Sequence, residues 1–175
     1  MLKVTHIPRY TYDDYKLWKD DWELIDGYPY SMSPSAVGSH QFVSSMLLNQ
    51  MMNKIQEAKC FNKCFAYTEL DWIINDDTIV RPDISIVCGG RIENFIEQPP
   101  ILIVEILSES SAYRDRIVKK ELYESNKVKY YLIADPGTKT VESFELIDGK
   151  YKLKKNNGFS LNEPCEIHLD YSIIW

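Results

Sequence analysis

Nowhere does this chain run apolar for the roughly 18 residues that a membrane-spanning helix needs. Its opening, MLKVTHIPRY, lacks the basic-then-apolar order of a secretory leader. The expected location is therefore cytoplasmic, with no membrane partner. Cysteine is sparse, at Cys60, Cys64, Cys88 and Cys165, and in that compartment these are expected as reduced thiols. Cys60 and Cys64 hint at a metal pair, but no second Cys or His pair follows at ligand spacing, which argues against structural zinc. The histidines (His6, His40, His168) are too scattered to suggest a cluster. A surplus of positive charge is also missing: 20 Lys and Arg against 26 Asp and Glu leave a net −6. That counts against a general nucleic-acid binder, which carries a basic face. It leaves room for a metal-dependent nuclease, whose site carboxylates belong to the negative total and are neutralised by the ion. Internal repeats, low-complexity tracts and linkers are absent too. What is present is ordinary: 175 residues, 45% hydrophobic and 26% charged, expected as one folded domain spanning 1–175.

The stretch from Val80 to Tyr131 organises the rest. Two apolar runs of strand length, DISIV and ILIVEIL, each carry one acid, Asp83 and Glu105. A helical segment follows in which Asp115, Lys119 and Tyr123 recur at four-residue intervals and so share a face. Upstream, TYDDYKLWKDD reads as a short helix with Thr11 as N-cap and Asp13 and Asp14 in the first turn. WELIDGYPYSM reads as a hairpin turning at Asp26-Gly27, SPSAVGS as a loop, and His40 to about Ala58 as an amphipathic helix. FAYTELDWII and TIVRPDISIV should form a strand pair around Asn75-Asp76-Asp77. ILIVEIL should be a central strand buried on both faces. Ser110 or Ser111 should cap the next helix, which stops near Asn126, a residue tolerant of the left-handed conformation. VKYYLIAD reads as a strand parallel to ILIVEIL, and TVESFELI with KYKLKK as a hairpin at Asp148-Gly149. The tail from Asn156 is weakly patterned and reads only as a docking segment. The predicted class is α/β, a mixed β-sheet flanked by helices. Its core spans about 38–146, and an N-terminal helix and hairpin occupy 10–33.

Carboxylates in apolar strands are costly unless compensated, and a bound cation is one compensator. Two acids from neighbouring strands, with carbonyls and waters, suit Mg²⁺, with Mn²⁺ as a substitute. Such an ion lowers the pKa of a bound water and offsets charge on a phosphoryl oxygen. Lys119 could place its ammonium beside that water or the scissile phosphate. The plainer alternatives are that Asp83 caps a turn after Pro82, that Glu105 sits in a buried ion pair, and that Asp115 and Lys119 form an i,i+4 helix pair worth about 0.3–0.5 kcal/mol.

RPDI, IVEILS, RDRIVKKELY and VKYYLIADP, with TYDDY, WELIDGYPYSMSPS and His40 upstream, resemble the Uma2 family, within the PD-(D/E)XK nuclease superfamily. The resemblance runs from about Thr11 to Leu146. It implies a restriction-endonuclease-like core, Mg²⁺-dependent cleavage of DNA phosphodiesters, and a homodimer. It puts the metal-binding acids at Asp83 and Glu105. The superfamily lysine, two places after the second acid, is replaced here by Leu107, and Lys119 takes over its role, with Lys120 the adjacent candidate. Glu23 is then either an outer acid helping to hold the ion or an exposed hairpin residue. His40 reads first as a local hydrogen-bonding residue and second as a phosphate contact. Arg114 and Arg116 touch DNA backbone or solvate the helix, and Tyr123 is expected to pack with its hydroxyl satisfied. The alternative function is a catalytically inactive nuclease-fold protein that binds or assembles; no protein partner is identifiable.

Overall fold

An Asp-Gly pair between two short β-type runs favours a two-residue hairpin, because both turn residues must adopt positive φ. In the computed structural model, which describes residues 7–32 and 37–175, β1 (Trp22–Ile25) and β2 (Tyr28–Ser31) pair antiparallel. Asp26 and Gly27 turn between them at φ 51° and 76°. A side chain at Gly27 would also meet Arg9 at 3.1 Å, and the Arg9 guanidinium donates to the Asp26 carbonyl at 2.7 Å. Before this hairpin lies α1 (Tyr12–Tyr15). The Asp14 carboxylate accepts from the Thr11 amide at 2.9 Å, so Thr11 caps the helix as the sequence predicts.

The expected loop over residues 33–39 is only partly visible, since residues 33–36 lie outside the described residues. Helix α2 (Gly38–Glu57) begins earlier than the periodicity suggests and buries Val43, Leu47, Met51 and Ile55 on one stripe. The predicted strand pair then departs from expectation. Each long strand is broken in two: β3 (Cys64–Thr68) and β4 (Trp72–Asn75), then β5 (Thr78–Val80) and β6 (Ile84–Cys88). Glu69 at φ 50° interrupts the first. Pro82, which has no N–H for a ladder, falls in the gap of the second. The hairpin therefore feeds two sheets. β4 and β5 join the first hairpin in the order β2-β1-β5-β4, while β3 and β6 enter the larger sheet.

That larger sheet has the order β10-β9-β8-β7-β6-β3. Its centre is β7 (Leu102–Ile106), wholly buried, antiparallel to β6 and parallel to β8 (Tyr130–Asp135). β9 (Thr140–Ile147) and β10 (Lys150–Leu153) turn at Asp148-Gly149 as predicted. Between β7 and β8 the chain makes a π-helical stretch, Arg114–Lys119, continued by α3 (Lys120–Ser125). The helix opens at residue 112, so Ser111, one of the two expected caps, stands at its N-cap and accepts from the Asp115 amide at 3.0 Å; Ser108 closes the turn before it, its hydroxyl accepting from the Ser111 amide. At the far end it is Lys127 that turns left-handed, at φ 62°, while Asn126 stays at −91°. The Asn126 amide instead donates to the Leu122 carbonyl at 2.9 Å, closing the last turn.

The tail is more structured than its pattern suggests. β11 (Gly158–Asn162) and β12 (Cys165–His168) form a third, two-stranded sheet. They bury Phe159, Leu161 and Ile167 beside α2 on one face of the central sheet. The helix after β7 and the four-stranded sheet cover the other face. The cysteines are not reduced thiols as expected. Cys60 bonds to Cys165 and Cys64 to Cys88, because Cys64 and Cys88 lie directly opposite in the β3–β6 ladder and β12 brings Cys165 to the turn after α2. Among the described residues no helix is long and apolar enough to cross a membrane.

Candidate active site

Strand alternation decides where the acids point. On β7, Leu102, Val104 and Ile106 enter the core shared with α2, whereas Ile103 and Leu107 face the other side. Glu105 shares that second face by its period of two. The register pairing Ile84 with Val104 places Asp83, just before β6, opposite Glu105. Asp83 is tied down by the Ile106 amide, which donates to its Oδ2 at 2.6 Å, and by His40 Nε2 at 3.2 Å from the same oxygen. His40 therefore reaches across from the start of α2 instead of bonding locally.

The helix that follows covers the same face, and its polarity is inverted. Asp115, Lys119 and Tyr123 are buried, while Ile117 is 46% exposed. An amphipathic helix ordinarily does the reverse; here two charged side chains are buried beside the packed ring of Tyr123. Lys119 is 3% exposed, and its ammonium sits 2.7 Å from Glu23 Oε1, 3.0 Å from Glu105 Oε1 and 3.7 Å from Asp115 Oδ1. Tyr123 donates to Glu105 Oε1 at 2.6 Å, so its hydroxyl is satisfied as expected. Glu23 is fully buried, not an exposed hairpin residue; β1 carries it inward, where the Arg81 amide donates to Oε1 at 3.0 Å. Arg114 lies 3.6 Å from Glu23 Oε2, and Arg116 pairs with Glu142. Lys120 is turned away, with its ammonium over the Phe144 ring, which separates it from Lys119.

The electrostatics follow from burial. Desolvation pushes Glu105 well above the usual carboxylate range; Lys119 pulls it back, and the charges of Asp115, Asp83 and Glu23 push it further up. Asp115 is raised for the same first reason. Burial by itself would lower the Lys119 ammonium, but Glu105, Glu23 and Asp115 outweigh it and hold the proton on. Glu23 Oε2 and Asp115 Oδ1 are buried with no hydrogen bond. Carboxylates thus outnumber the cations that face them, and the surplus calls for more positive charge.

His40, Asp83, Glu105, Asp115 and Lys119 line a cleft of about 670 Å³ that also takes in Asp21, Arg81 and Arg114. Sequence reasoning passed over Arg81, whose side chain bridges Asp71 at 2.6 Å and Asp21 at 2.5 Å. It also passed over Tyr131, which donates to the Asp115 carbonyl at 2.8 Å. No periodicity marks either, although the position of Arg81 beside Pro82-Asp83 was a signal. Among the described residues no set of three His, Cys, Asp or Glu side chains is arranged to ligate an ion. The donor set nevertheless fits Mg²⁺, which takes one or two carboxylates and keeps several waters.

His40 gives a direct check on this geometry. Its hydrogen bond to Asp83 favours the imidazolium and outweighs the opposing effect of burial, raising its pKa above 6.5. A raised folded-state pKa contributes stability that is complete below the unfolded value and is lost as pH rises through the folded one. NMR titration of the metal-free protein should place His40 above 6.5, with Asp83→Asn bringing it down. A wild-type value at or below 6.5 would contradict the pair.

The fold and cleft together define a nuclease-fold protein. A solved structure from Anabaena variabilis ATCC 29413, described as "a putative nuclease belonging to DUF820", superimposes with a TM-score of 0.74 over 94% of this chain and 96% of that one, at 18% identity. No curated protein matches. The family model Uma2, described as "Putative restriction endonuclease", matches residues 12–170; the chain belongs to the Uma2 family.

Proposed function

We propose that this chain is a metal-dependent DNA endonuclease. The observation that carries the reading is the meeting of Asp83 and Glu105, opposed across the β6–β7 ladder, with a buried ammonium 3.0 Å from Glu105 Oε1. Asp83 and Glu105 would hold Mg²⁺ or Mn²⁺, which supplies a bound water of lowered pKa and offsets charge on the phosphoryl oxygen. Each protein group has a separate task. The Ile106 amide and His40 orient Asp83 through Oδ2. Tyr123 fixes Glu105. Glu23 holds Lys119 against the cleft, where its ammonium orients the attacking water and opposes charge on the scissile phosphate. Arg114, also lining the cleft, is placed to meet a phosphate oxygen, a role suited to a planar guanidinium.

Calorimetric titration of Mg²⁺ and Mn²⁺ should show binding to the wild type that Asp83→Asn and Glu105→Gln each abolish. Cleavage of DNA by the wild type should fall with them. Binding unchanged in both variants would remove the basis of the mechanism and leave the inactive, binding-module reading.

A further inference from the structure

A second recess lies on the N-terminal side of the four-stranded sheet. Tyr10, Trp18, Lys19, Trp22 and Pro29 line a slot of about 290 Å³, at the small end of the range for ligand pockets. Its aromatic rings stand edge to face: Tyr10 and Trp18 at 5.4 Å, Trp18 and Trp22 at 5.7 Å. They are half-buried and not sealed in the core. Leu17 beside them is 79% exposed. Lys19 is exposed and has no ion pair or hydrogen bond among the described residues, so the slot ends in an uncommitted cation.

We propose that this slot is a base-stacking subsite for a single-stranded stretch of nucleic acid, with one nucleobase against Trp18 and its phosphate on Lys19. Bases stack on aromatic faces whatever their identity, and a nearby cation takes the backbone charge. Those are the two chemistries the slot offers: rings without polar competition, and one free ammonium.

The slot also adjoins the cleft. Tyr15 packs on Trp18 at 5.6 Å, and its hydroxyl donates to the Trp22 carbonyl at 3.1 Å and to Asp71 at 3.0 Å. Asp71 holds the Arg81 guanidinium, and the Arg81 amide holds Glu23, the partner of Lys119. Asp21, one residue before Trp22, lines the cleft. The wall of the slot is thus joined to the wall of the cleft through Trp22, Tyr15, Asp71 and Arg81. The subsite extends the nuclease reading by naming a single-stranded flank of the substrate, yet its test does not depend on cleavage.

The probe is an oligothymidylate, titrated without metal and followed by tryptophan fluorescence, with anisotropy of a labelled strand in parallel. Wild type should bind with quenching. Trp18→Ala should weaken binding on the order of tenfold or more, Trp18→Phe should retain most of it, and Lys19→Gln should reduce the salt slope by about 0.7. Asp83→Asn should bind at the slot as the wild type does. Trp18→Ala also gives up ring contacts with Tyr10, Tyr15 and Trp22, so its melt should fall below that of the wild type, while the melts of Trp18→Phe and Lys19→Gln should match it. Equal affinity of wild type and Trp18→Ala, or no binding by wild type, overturns the subsite even if duplex DNA is cleaved. Cleavage failure with Trp18-dependent binding intact overturns the nuclease reading and leaves the subsite. Capture of a proline-rich peptide in place of the oligonucleotide would reassign the slot to a protein partner and overturn the proposal.

Discussion

Lys119→Met is expected to destabilise the folded chain by about 3–5 kcal/mol, the usual cost of removing one partner from a buried ion pair. For a domain of this size that is a fall in Tm of roughly 6–20 °C. Methionine nearly matches the lysine stem in length, so a cavity is not the main cause. The loss comes from stranding Glu23, Glu105 and Asp115, which now share one ammonium within 3.7 Å and are almost wholly buried. Glu105 and Asp115 would escape by protonation. Glu105 and Asp115 already titrate high through burial, and without Lys119 they rise further. A carboxylate whose folded pKa exceeds its unfolded value resists folding only once pH climbs above the unfolded value of about 4. The difference between variant and wild type should therefore be small near that pH and grow through neutrality. Urea unfolding at about pH 4 and about pH 8 checks this; a loss of equal size at both would reject the stranded-charge account. Adding Glu23→Gln to Lys119→Met should recover part of the stability, a coupling expected only of groups in contact. Cleavage activity should stay lost in both variants.

Loss of the Cys60–Cys165 bridge is expected to cost about 5 kcal/mol. It joins residues 105 apart, and the chain-entropy relation gives that figure for a loop of such length. The Cys64–Cys88 bridge, with a separation of 24, lies inside the first loop and should contribute about 3.5 kcal/mol by the same relation. Because the loops are nested, the two losses should not add. The outer bridge matters for position as well: it ties β12, and with it Phe159, Leu161 and Ile167, to the turn after α2. Cys60→Ala with Cys165→Ala should show a lowered urea midpoint, and its midpoint should respond less to reductant than that of the wild type. A wild-type midpoint that ignores reductant would refute the prediction.

Much of the site could be read from the chain. An acid inside an apolar strand is rare enough to mark Asp83 and Glu105, and four-residue spacing alone put Asp115, Lys119 and Tyr123 on one face. Both Gly-containing hairpins were legible because turn chemistry is local: few residues other than Gly and Asp adopt those angles readily. The broken strands were not, since alternation continues through Glu69 and Arg81 and says nothing about which sheet each half will join. The C-terminal hairpin was missed for a similar reason. Its short runs carry little pattern, and their burial depends on a surface offered by α2, more than 100 residues earlier.

The sequence by itself determined which residues could carry the chemistry, because burial costs and side-chain periodicity are properties of short segments. It left Glu23 undecided between an outer acid and an exposed hairpin residue, and His40 between a local hydrogen bond and a phosphate contact, and it paired no cysteine. Tertiary structure decided where they lie and which cysteines pair. Glu23 comes to Lys119 from a hairpin 96 positions away in the chain, and His40 to Asp83 from a helix start 43 away. No local rule encodes such contacts. They exist because two sheets and a helix close on one cleft, and the free energy that holds the charges together there comes from the apolar packing of residues around them.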